Sequence, residues 1–175
     1  MKPEELLIGD YPGYYQAYID HLPQLELLTL LRSQRDEMVQ FIETLDPVDL
    51  LRSYDVDKWT VAQVLQHMFD TERIFQYRAL RIARKDKTPL PGYDQDAYVP
   101  ASRANDRNKE DLLKEYNAIR ESGICMFESF TKEMYKEKGN SSGGELSAAA
   151  AGFIIAGHEK HHLSLFKTKY NLWTE

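Results

Sequence analysis

The chain has 175 residues, a net charge of −6 and a sequence pI of about 5.4. That is enough chain for one domain with a packed core, and the acidic balance argues against a partner made of nucleic acid, which needs a basic face. Mean hydropathy is −0.56 and no apolar run reaches bilayer length, which excludes a membrane-spanning helix from the expectations.

Residues 1–22 are expected to form an arm or a short helix at the start of a single domain spanning 1–175. Met1-Lys2-Pro3-Glu4-Glu5 lacks the basic and apolar regions of a secretory signal. The first long helix is predicted from Pro23 to Thr44, with Leu28, Leu31, Met38, Val39, Ile42 and Leu45 marking its inner side. Pro47 stops it, because proline cannot continue the hydrogen-bond ladder. The second starts at Thr60, where Gln63 three residues on completes a capping box. Its stripe is Val61, Val64, Leu65, Met68, Phe75, Ala79 and Ile82, and it ends before Lys87.

The stretch Pro89–Pro100 reads as a proline-stiffened loop carrying Tyr93, Asp94, Asp96 and Tyr98. The third helix is predicted from Asn108 to Lys138, with Gly139 as its C′ residue. Leu112, Tyr116, Ile119, Gly123, Phe127, Phe130 and Met134 form its inner side. The fourth runs from near Ser147 to about Tyr170, facing inward with Ala151, Ile154, Ile155, His158, His162, Leu165 and Phe166. Strand signals are scarce. The fold class is therefore all-α, an antiparallel four-helix bundle with a long loop between helices two and three.

Of five histidines, His158, His161 and His162 crowd into five residues. On a helix His158 and His162 differ by only about 40° around the axis, and both fall within the apolar stripe. Two imidazoles one turn apart can grip one metal ion. His67, near the edge of the second helix's stripe, would add a third ligand and leave a coordination position open, as catalytic sites do. A zinc ion there would lower the pKa of a bound water toward about 7; nickel, iron or manganese also suit such ligands. The competing reading is a pair of helical histidines that forms a packed, hydrogen-bonded core element or a solvated helix end. His161 and His21 are read as flanking or surface residues.

His158-Glu159-Lys160-His161-His162 also matches H-E-x-x-H, the zinc-protease helix motif in which the glutamate is the general base. No histidine follows His162, the metzincin spacing is missing, and no strand edge is evident to hold an extended peptide. Protease chemistry is set aside. Glu159 remains a weak candidate base, against the simpler reading of an exposed helical acid.

Taken together and in order, four stretches resemble the DinB/YfiT-like superfamily of metal-dependent enzymes. They are Lys58-Trp59-Thr60-Val61-Ala62-Gln63-Val64-Leu65-Gln66-His67; Asp70 to Phe75 with Tyr77-Arg78-Ala79-Leu80-Arg81; Pro89 to Tyr98; and Ile154 to His162. The resemblance covers most of the chain. It implies a four-helix bundle in which His67, His158 and His162 hold one divalent metal ion, most often zinc or nickel, and commonly a homodimer. It further implies an enzyme acting on a small-molecule substrate. The leading expectation is a metal-dependent hydrolase. The alternatives are a transferase using a low-molecular-weight thiol such as bacillithiol, in the manner of the bacillithiol transferases and a mycothiol-dependent isomerase, or a metal-binding bundle without catalysis.

Further residues are weighed beside these. Asp70, Thr71 and Glu72 could orient ligands, or Glu72 could pair with Arg73, Arg78 or Arg81. Asp96 is a second weak catalytic candidate. Trp59 is expected as a hydrophobic staple or core anchor, and Cys125 as a small core residue. With one cysteine the chain cannot close an internal disulfide or build a cysteine-based zinc site, which fits a reducing cytoplasm.

Overall fold

The N-terminal arm folds into two 3-10 turns, Pro3–Glu5 and Gly13–Tyr15, and the short helix α1 (Gln16–Asp20) in the structure, a computed structural model that describes residues 1–173. Then come α2 (Leu27–Thr44), α3 (Val61–Ala83), α4 (Gln95–Ala101), α5 (Lys109–Glu128), α6 (Lys132–Lys136), the strands β1 (Lys138–Ser141) and β2 (Gly144–Ser147), and α7 (Ala148–Thr168). The four long helices α2, α3, α5 and α7 are the bundle. Thr60 caps α3 as its sequence requires: Oγ1 accepts from the Gln63 amide at 3.2 Å, and Gln63 Oε1 accepts from the Thr60 amide at 2.9 Å.

Side-chain contacts fix the direction of each helix. Gln34 reaches the Ala156 carbonyl at 2.8 Å and Phe41 stacks on Phe166, so α2 and α7 run the same way. Arg35 meets Glu121 at 3.0 Å, while Lys109 reaches the carbonyls of Glu43 and Leu45, so α2 and α5 run oppositely. His67 lies by His162, and Phe75 lies opposite Ile154, so α3 and α7 also run oppositely. Gln66 meets Glu115 and Glu72 meets Arg120, which makes α3 and α5 parallel. The bundle thus consists of two antiparallel pairs set side by side. Because α3 and α5 share a direction, residues 84–108 must return the length of the bundle. The Leu90 amide bonds to Asn140 near the end of α3, and Asn105 meets Thr60 at its start. This return carries α4 over one side of the molecule.

Two apolar cores divide the bundle lengthwise. One gathers Leu27, Leu31, Phe75, Ile82, Phe127 and Phe153; the other gathers Met38, Phe41, Leu65, Leu112, Leu163 and Phe166. Between them every long helix contributes buried polar groups: Gln34 from α2, His67, Thr71 and Glu72 from α3, Arg120 from α5, and His158, Glu159 and His162 from α7.

Several expectations need correction. The third helix does not reach Lys138. It ends at Glu128, Phe130 is buried at the break, and Thr131 starts α6 by capping the Met134 amide at 3.3 Å. Gly139 is a strand residue and not a helix cap, because the chain next folds into a hairpin in which Ser141 faces Gly144. Ser142 and Gly143 both have positive φ, 54° and 80°, the backbone that a two-residue turn with the twist of the strands demands. The Pro89–Pro100 stretch is partly helical, since Asp94 accepts from the amides of Asp96 and Ala97 and nucleates α4. Cys125 is exposed and lies outside the core. Leu28, Val39, Met134 and Leu165 are only half-buried.

Candidate metal centre

His67, His158 and His162 converge in the polar layer. His67 Nε2 and His162 Nε2 each lie 3.1 Å from His158 Nε2. All three residues are buried, and among the described residues they form the one group of histidine, cysteine or acidic side chains whose ligand atoms all approach within 4.8 Å. His67 comes from the second turn of α3, and His158 and His162 from successive turns of α7, so the antiparallel packing of α3 on α7 assembles the set.

Among the described residues the hydrogen-bond contacts of these rings are with one another and none is with the backbone. Burial lowers the His67 pKa to about 4, against a smaller opposing pull from Asp96. Burial, then the neighbouring imidazoles, push His158 and His162 well below the usual imidazole range. All three rings are therefore neutral at pH 7. A neutral imidazole carries one N–H, so three facing Nε2 atoms cannot all be satisfied by donating to one another. Two nitrogens bound to one zinc at about 2.0–2.1 Å stand roughly 3 Å apart. The observed spacing and the lone pairs both fit a shared divalent cation. His162 Nδ1 is buried without a hydrogen-bond partner among the described residues.

The surroundings are aromatic. Trp59 packs against His67 with ring centroids 5.0 Å apart, so it anchors that imidazole as well as the start of α3. Tyr18 presents its edge to His158 at 5.6 Å. Gly157 permits that approach: a Cβ there would lie 2.4 Å from the Tyr18 carbonyl oxygen. His161 is half-buried against Tyr18 and outside the converging set, and His21 is exposed. Cavities open on both sides of the centre. One of about 280 Å³ is lined by His162, Trp59 and Asp96; another of about 400 Å³ is lined by His158, Thr71, Phe75 and Tyr93. Thr71 hydrogen-bonds Tyr93 at 2.7 Å, which ties the returning segment to α3 beside the three histidines.

Glu159 is not the exposed helical acid that its position in the motif allowed. It is 3 % exposed and turns into the bundle, where its oxygens meet Arg120 Nη2 at 2.8 Å and the Tyr116 hydroxyl at 3.1 Å. Burial raises its pKa to about 7. Glu72 pairs with Arg120 too, through Nε at 2.9 Å and Nη2 at 2.8 Å, and not with Arg73, Arg78 or Arg81. Arg120 escaped the sequence reading. It sits between Tyr116 and Gly123 at helical spacing, and a charge inside an apolar stripe was the signal that could have found it.

Fold and site together define a four-helix bundle with three buried histidines converging at its polar layer. The model of the DinB superfamily matches residues 30–166, and the chain belongs to that family. A protein of Oceanobacillus iheyensis named "Putative metal-dependent hydrolase" is 24 % identical over 144 residues, 81 % of this chain and 82 % of its own. The structure of YfiT from Bacillus subtilis, described as "a probable metal-dependent hydrolase with an unusual four-helix bundle topology", superimposes with a TM-score of 0.74 at 17 % identity. That match covers 83 % of this chain and 84 % of YfiT. A mycothiol-dependent maleylpyruvate isomerase superimposes with a TM-score of 0.68 at 13 % identity, over 85 % of this chain and 62 % of its own. Among the described residues no helix is long and apolar enough to cross a membrane.

Proposed function

We propose that the protein is a metal-dependent hydrolase of a small molecule, with His67, His158 and His162 holding one divalent ion. The observation that carries this is the convergence of three neutral, buried imidazole nitrogens that cannot satisfy one another. The ion would supply Lewis acidity and a lowered pKa for bound water. Zinc and nickel are the ions that suit three imidazoles best in this reading.

The chain's own contribution is to hold the ligands and shape the access. Trp59 packs on the ring of His67 and Tyr18 on that of His158, which holds both imidazoles in place. Burial keeps the imidazoles deprotonated, so no proton competes for their lone pairs. Asp96 lines the cavity beside His162 and is the carboxylate proposed to accept a proton from the attacking water and return it to the leaving group. Glu159 is engaged by Arg120 and Tyr116, and its proposed part is to support α7 behind His158.

The structural likeness to a mycothiol-dependent isomerase favours one second reading, a thiol transfer in the same place. With only an exposed Cys125 on this chain, the sulfur would arrive with the substrate. Location in the cytoplasm and assembly as a homodimer belong to the same proposal. The test is turnover of ester, amide and thiol-acceptor panels by metal-loaded protein. Chelation and His158→Ala should each lower turnover by at least about 100-fold while the helical signal persists. Full activity in metal-depleted His158→Ala would end the hydrolase and the transferase readings alike.

A further inference from the structure

Arg78 is 97 % buried by its 3 % exposure, yet no carboxylate among the described residues pairs with it. Its Nη2 donates to Ser142 Oγ at 2.9 Å and to the Pro91 carbonyl at 3.3 Å, and its guanidinium lies over the Phe75 ring at 4.8 Å. Arg120, the other buried arginine, meets two carboxylates. A buried cation without a counter-charge is costly, and a cation–π contact recovers only part of that cost.

The cavity of about 400 Å³ explains where a counter-charge could enter, since both Arg78 and the metal-ligand candidate His158 line it. His67, Thr71, Phe75 and Arg78 follow one another on α3 at intervals of four, four and three, which puts them on one face. Arg78 is about 16 Å beyond His67 along the axis, and a long helical side chain leans back toward the N-terminus. The walls between are aromatic: Tyr15, Phe75 and Tyr93, with Tyr14 at the mouth.

We infer that this cavity takes small molecules bearing a carboxylate, held by the Arg78 guanidinium with Ser142 beside it. An aromatic or apolar body lies against Tyr15, Phe75 and Tyr93, and the far end reaches the histidine centre. A guanidinium fork matches a carboxylate in shape as well as charge. The inference rests on the histidine centre being the reacting end, but the anion subsite itself needs no metal, so it can be tested apart from that reading.

The experiment is calorimetric titration of chelator-treated protein with 3-phenylpropanoate and with its neutral amide. Wild type should bind the acid at least about tenfold more tightly than the amide. Arg78→Met should abolish that preference, and Arg78→Lys should keep part of it. Equal affinity for acid and amide in wild type overturns the inference, as does no saturable binding of the acid by about 10 mM. So does an Arg78→Met protein that weakens both probes alike, which would mark Arg78 as a tether for residues 91 and 142. If His158→Ala removes the preference and Arg78→Met does not, the carboxylate binds at the histidine centre, and only the assignment to Arg78 falls.

Discussion

His158 and Glu159 are consecutive residues on α7 that serve two opposite kinds of polar centre. On one side Arg120, fully buried, meets Glu72, Glu159 and the Leu31 carbonyl, and Tyr116 closes the ring on Glu159. Donors and acceptors match within the protein. On the other side three imidazole nitrogens face one another with too few protons among them, and cavities adjoin them. Both centres are buried, and both sit in the layer between the two apolar cores. The difference lies in satisfaction: the first is complete as folded, whereas the three imidazoles of the second cannot satisfy one another. Burial of polar groups alone does not separate the two.

The comparison breaks most readily at Arg120. Arg120→Met leaves two buried carboxylates without their cation, and should cost about 3–5 kcal/mol of stability in urea unfolding. A cost below about 1 kcal/mol would mean that the arginine centre is not the closed unit described. Gly157→Ala tests the open side. The added methyl meets the Tyr18 backbone and must lift the arm, so a loss of about 1–3 kcal/mol is expected, with faster proteolysis within residues 1–22. An unchanged proteolytic pattern would show that the arm does not depend on this approach.

Acid sensitivity separates the centres more finely. In the unfolded chain imidazoles take up protons as the pH falls through about 6.5. In the fold His67 waits until about pH 4, and His158 and His162 lie lower than usual as well. The unfolded state therefore binds more protons over that window, and stability of metal-free protein should fall between about pH 6.5 and 4. Glu159 acts with the opposite sign. Its folded pKa of about 7 lies above the unfolded value of about 4.3, so its contribution improves as the pH falls across that interval. Glu159→Gln removes this opposition, and its acid-induced loss should be steeper than that of wild type. Coincident slopes would show that Glu159 is already ionised at neutrality in the fold.

The bundle was legible because its stripes are long and regular: every residue proposed for the inner side of the second helix is buried. The histidine set was legible for a related reason. An i, i+4 pair inside a stripe fixes two of its positions, His67 near the edge of the second helix's stripe offers the third, and the resemblance to a family implies the same three. The return of residues 84–108 along the bundle was not legible, since helix direction depends on which long helices pack together, and no local pattern states that. The hairpin at Ser142-Gly143 was hidden by its shortness, four residues a strand with little alternation to read. Arg120 and Gln34 stand at core positions of their stripes, but a charged or amide side chain carries no apolar signal for a helical period to show.

What the three imidazoles hold decides the function. X-ray absorption at the metal edge, on untagged protein loaded with one equivalent of zinc, reads the ligand set directly. Nitrogen ligation with outer-shell scattering from three imidazoles, reduced to two in His67→Ala, is the predicted result. A spectrum with sulfur in the first shell, or one that His67→Ala, His158→Ala and His162→Ala all leave unchanged, would contradict it.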